Sequence, residues 1–131
     1  MKQSVLLTIA SVLTLLLLIF HLADDIVRGF EKGGPSNLLA IPIAVTWLYG
    51  TLVLADRRSG YVITLLGSLL GAFVPYIHFK AAGGVAHGEI AQSSGALFFV
   101  WTLLALGVTA VFSGILSAQG LWRGFASRAP S

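Results

Sequence analysis

The chain has 131 residues, of which 56% are hydrophobic and 10% charged, with a formal net charge of +3 and a mean hydropathy of +0.91. A soluble domain carries about 25% charged residues, so this chain lacks the polar surface to stay in water. Its small, scattered basic excess also excludes a nucleic-acid-binding stripe. The absence of cysteine removes disulfides, thiolate metal ligands, thiol redox chemistry and a cysteine nucleophile together.

Residues 5–22 form an apolar run preceded by Lys2 and interrupted only by small or hydroxyl residues and His21. As a helix the run spans roughly 27 Å, close to the ~30 Å hydrocarbon core of a bilayer. It is long for a signal peptide, and a cut after Ala23 would put His21 where a small residue is required. The segment is therefore expected to be retained as an anchor. Residues 38–55 form the second span, with Ser36 or Asn37 as N-cap candidates. Pro42 falls in its second turn, near the water, where the loss of a backbone hydrogen bond costs least. Residues 56–60 make a tight polar turn. Residues 61–79 form the third span and 96–118 the fourth, after which Trp122, Arg123 and Arg128 mark the interface and the tail. The expectation is an all-α, integral membrane four-helix bundle running up-down-up-down in one domain over residues 1–131. Both termini then share a side.

Lipid tails give helices no hydrophobic reason to associate, so small residues that permit close packing become informative. Gly67 and Gly71 form a GxxxG pair in the third span, and Ala110, Gly114 and Ala118 a small-residue ridge in the fourth. These faces are expected to look inward, or onto a second subunit. Pro75 leaves the carbonyl of Gly71 without its helical partner and predicts a kink three residues before His78. The spans hold no ionisable residue near their middles, which excludes a charged transport pathway of the usual kind.

On the side of the termini lie Lys2, Arg57, Arg58, Arg123 and Arg128, and on the other Arg28, Lys32 and Lys80. The positive-inside rule then puts the termini in the cytoplasm of a bacterial inner or plasma membrane. All three histidines, with Asp24, Asp25, Glu31 and Glu89, fall on the opposite, extracytoplasmic side. The first helix is expected to continue through Arg28. At 100° per residue His21, Asp24, Asp25 and Arg28 then share one face, and the third span brings His78 to similar depth. The following loop adds His87 and Glu89.

Imidazoles and carboxylates converging in this way suit zinc, copper or iron. The candidate ligands are His21, Asp24, Asp25, His78, His87 and Glu89, with Arg28 competing for Asp24 through an i, i+4 ion pair. The functional expectation is a metal site for metal handling, sensing or metal-assisted chemistry. Two alternatives stand beside it. One is an accessory subunit of a larger complex, in which the polar cluster is an interfacial cap. The other is a bis-histidine haem b protein using His21 and His78, with Phe20, Tyr76, Phe79, Phe98 and Phe99 nearby.

Overall fold

The computed structural model describes residues 3–80 and 95–126. Every regular element among them is helical. Helix α1 covers Gln3–Arg28, α2 Ala40–Leu48, α3 Arg58–Lys80 and α4 Ala96–Ala126. Four stretches are long and apolar enough to cross a membrane: Ser4–Arg28, Pro35–Val53, Arg58–Lys80 and Ala96–Gly124. The first and last helices outrun the apolar runs at 5–22 and 96–118.

The end of α1 is a Schellman cap. Gly29, at φ 78°, takes the left-handed conformation and donates to Ile26 O at 3.1 Å, while Phe30 N–H donates to Asp25 O at 2.9 Å. This closure uses up two otherwise orphaned carbonyls and sets Asp25 in the final turn of α1. It also returns Phe30 toward the bundle, where its ring lies 5.9 Å from that of Phe99.

The second span is composite. A 3-10 turn over Pro35–Leu39 leads into α2, and a π-helical turn over Tyr49–Val53 follows it. Its N-cap is Gly34 rather than Ser36 or Asn37. Asn37 closes the turn from three residues inside, accepting from Gly34 N–H at 2.8 Å while its own N–H donates to Gly34 O at 3.0 Å. Trp47 is the buried residue of α2, and the 3-10 turn has none. The π turn widens the helix and turns Gly50 and Thr51 inward.

Helix α4 packs most extensively on α3 and α1, and α2 touches the others more sparingly. Phe99, Leu103, Leu106 and Ala110 of α4 are fully buried, with Leu7, Ala10 and Leu15 of α1 beside them. The outward faces carry Ile9, Leu13, Leu66, Phe73, Trp101, Val108 and Ile115, all exposed as lipid-facing side chains would be. Hydroxyls tie the helices together. Trp47 Nε1–H donates to Ser11 Oγ at 2.8 Å, Ser11 shares a 2.7 Å bond with Thr51, and Ser68 lies 2.9 Å from Ser113 Oγ. Thr14, Thr102 and Thr109 instead bond back to their own helices.

The glycine pair of α3 meets side chains. A Cβ on Gly67 would overlap the Trp47 indole, and one on Gly71 would come 2.9 Å from the Thr14 methyl and 3.2 Å from Ala110. In the small-residue ridge of α4, Ala110 is buried and Gly114 faces Ser68, while Ala118 is exposed. Pro75 is buried in α3 against Gly107.

Candidate metal centre

The C-terminal ends of α1 and α3 and the N-terminal end of α4 come together. The i, i+4 spacing brings His21 and Asp25 to the same face of α1, with His21 Nε2 3.7 Å from Asp25 Oδ2. From α3, His78 Nε2 reaches the same oxygen at 3.6 Å. One donor atom from each of the three residues lies within 4.8 Å of the other two, so the group could hold a metal ion.

The 3.6 and 3.7 Å separations exceed hydrogen-bonding length, yet the groups are out of water. His21 is 1% exposed and Asp25 9%. Both ring nitrogens of His21 and Oδ1 of Asp25 are buried with no hydrogen-bond partner among the described residues. Leaving such a group unsatisfied costs about 1–3 kcal/mol, more when it is charged. A cation bound here would take one ring nitrogen of His21 and one carboxylate oxygen of Asp25, which lowers the number of unsatisfied buried atoms.

His78 is oriented for this. Its Nδ1 lies 2.9 Å from Val74 O. A carbonyl only accepts, so Nδ1 carries the proton and Nε2 is left with a lone pair facing Asp25 when the ring is neutral. Holding a histidine by its far nitrogen on a backbone carbonyl is the usual support for a metal-binding imidazole. Donors around one tetrahedral ion at about 2.0–2.1 Å stand roughly 3.4 Å apart, so closing this set on an ion takes side-chain movement on the order of 1 Å.

Phe99 is the floor of the site. Its ring centroid lies 4.8 Å from that of His21 and 5.6 Å from that of His78. The two imidazoles touch edge to face, with centroids 4.8 Å apart and planes at 77°.

Asp24, on the same turn of α1, is engaged elsewhere. Arg28 Nε–H donates to its Oδ2 at 2.8 Å, and Arg28 Nη2–H donates to Gly95 O at 3.0 Å. The Arg28 guanidinium also sits 5.9 Å from the Phe99 ring. This chain of contacts ties the end of α1 to the start of α4 and engages Asp24 with Arg28. His87 and Glu89 lie outside the described residues.

Beside the donors, between α1, α2 and α3, is a cavity of about 430 Å³. Its polar end is formed by His21, Asp25, His78 and Glu31, and its body by aliphatic side chains including Leu15, Ile19, Ile43, Leu70 and Ile77. Trp47 is the buried residue of α2, while Ile41, Ile43 and Val45 above it are exposed. The site features not expected from the sequence are the Phe99 floor, the Glu31 rim and this cavity. Glycine at position 29 was the available signal for the rim, because a left-handed cap reverses the chain and returns residues 30 and 31 toward the helix ends.

Comparison with family models, curated proteins and solved structures finds no match for the chain.

Proposed function

We propose that this protein is a small up-down-up-down membrane bundle that binds a transition-metal ion through His21, Asp25 and His78 on the extracytoplasmic side. The observation that carries the reading is the convergence of the buried His21 imidazole and Asp25 carboxylate of α1 with the partly buried His78 imidazole of α3, His78 being held by Val74 O and polar atoms of His21 and Asp25 being unsatisfied. Two histidines and a carboxylate with an open position are the donor set of catalytic zinc sites and of non-haem iron centres. The three protein ligands leave at least one position for water or a further ligand, which fits metal-assisted chemistry or sensing better than a closed structural site.

Edge-to-face contact of the two rings favours a single ion over a bis-histidine haem. The excess of Lys and Arg near the termini and the 56–60 turn supports a cytoplasmic location for both termini. His87 and Glu89 remain candidates for the fourth ligand, and Asp24 acts as the partner of Arg28. Metal analysis of the purified protein, with His21→Ala and His78→Ala alongside, tests the assignment. Stoichiometric metal in the parent, lost in both variants, is the expected result.

A further inference from the structure

The cavity beside the three donors bears on what reaches the ion. It lies between helices long and apolar enough to cross a membrane, and its aliphatic wall includes Ile19, Ile43 and Ile77, each of which keeps 41–47% of its surface exposed. The wall is therefore continuous with the lipid-facing surface of α1, α2 and α3. A volume of about 430 Å³ lies within the range of small-molecule sites, roughly 300–1,000 Å³. The polar groups are gathered at one end, as an amphiphile with a small head requires.

The charges select the head. Among the described residues the lining contains two acids, Asp25 and Glu31, and neither lysine nor arginine. Counted with a divalent ion, Asp25 and Glu31 leave this pocket end neutral, so a phosphate or carboxylate head would bring an uncompensated negative charge into it. A neutral hydroxyl meets the opposite situation. Its oxygen can ligate an ion held by His21, Asp25 and His78, and its proton can be donated to a carboxylate oxygen. The buried, unsatisfied Asp25 Oδ1 is one such acceptor in the same pocket end.

We infer that the open coordination position of the ion is taken by the hydroxyl of a single-chain lipid alcohol, whose hydrocarbon chain enters the cavity from the bilayer between α1, α2 and α3. The inference rests on the metal site proposed above and adds the class of its ligand. Binding alone is claimed, with no bond made or broken in the lipid.

Native mass spectrometry of the detergent-solubilised, zinc-loaded protein reads both claims in one spectrum, because zinc and lipid add different masses. The probes are hexan-1-ol, decan-1-ol, dodecan-1-ol and dodecanoate. The expected result is one dodecan-1-ol per zinc-bound chain, retention increasing with chain length, at least tenfold weaker dodecanoate, and loss of the alcohol after chelation. Ala44→Trp, which fills the aliphatic part of the cavity away from the donors, should keep zinc and reduce alcohol binding at least tenfold. Zinc retention by that variant reports that its site is intact. If it does not fold, the chain-length series and the chelated sample on the parent protein still decide the matter. Zinc binding with no preference for dodecan-1-ol over dodecanoate, or with alcohol retention indifferent to chelation, overturns this inference alone. Absence of a zinc adduct in the parent overturns the metal reading and this inference with it.

Discussion

Asp25 Oδ2 stands 3.6 Å from His78 Nε2, so a carboxylate from α1 and an imidazole from α3 face one another inside the protein without a hydrogen bond between them. The far side of the same imidazole is already committed to Val74 O. Two lone-pair-bearing atoms directed at one another repel unless a proton or a metal ion lies between them. His21, at 3.7 Å from the same oxygen, adds a third donor. The metal reading proposed above rests on this meeting of α1 and α3.

The two adjacent aspartates should separate cleanly. Asp25→Asn is expected to lower metal affinity by an order of magnitude or more, as loss of one of three protein ligands. Asp24→Ala should leave metal content unchanged and lower stability by about 1–3 kcal/mol, because it removes a charge-assisted hydrogen bond to Arg28. Metal content and thermal unfolding of the two variants check this. Equal metal loss in both would show that the Asp24–Arg28 pair does not keep Asp24 out of the site.

At Gly67 the added side chain would run into the Trp47 indole. Gly67→Ala is expected to cost about 1–3 kcal/mol through overpacking, and Gly67→Leu to displace α2 and destroy the fold or its detergent stability. Unfolding temperatures that match the parent for both would place this face of α3 against lipid.

The Trp47–Ser11–Thr51 cluster links α1 to the second span at its one well-packed point. Ser11→Ala removes the acceptor of the indole N–H and one partner of Thr51. Interhelical hydrogen bonds in membranes are worth about 0.6 kcal/mol on average and up to about 1.7, so a destabilisation of about 1–2 kcal/mol is expected, with a blue-shifted Trp47 emission. A neutral substitution would mean that these groups find equivalent partners when separated.

Topology is checked by reporter fusions at Ser131 and within Gly83-Gly84. A cytoplasmic reporter should be active at Ser131 and a periplasmic one between Gly83 and Gly84. The reverse pattern would invert the orientation and put the donors on the cytoplasmic side.

Much of this architecture was legible from residue order. Four apolar runs of membrane length mark the helices, and the spacing of His21 and Asp25 predicts a shared face because 3.6 residues make a turn. His78 was legible by its depth at the end of its span. The competition of Arg28 for Asp24 could be read from i, i+4 spacing, but which aspartate it takes depends on where Gly95 and Phe99 stand. The Phe99 floor was out of reach for a similar reason: Phe98 and Phe99 are equivalent on paper, and only the rotation of α4 decides which is buried. Hydroxyl residues were also ambiguous, since Ser11 and Ser113 bond across helices whereas Thr14 and Thr109 bond along them. The second span is broken by a 3-10 start and a π finish, and helical periodicity carries no signature of either.

The most direct test of the account is metal stoichiometry of the purified protein, measured by elemental analysis beside its thermal unfolding with and without chelator. The account predicts one transition-metal ion per chain, lost in His21→Ala and in His78→Ala. It also predicts a lower melting temperature for the parent after chelation, since an ion bound only by the folded state stabilises it by mass action. A parent protein that takes up no metal and melts at the same temperature in chelator would contradict it, leaving His21, Asp25 and His78 as a polar cap on the end of the bundle.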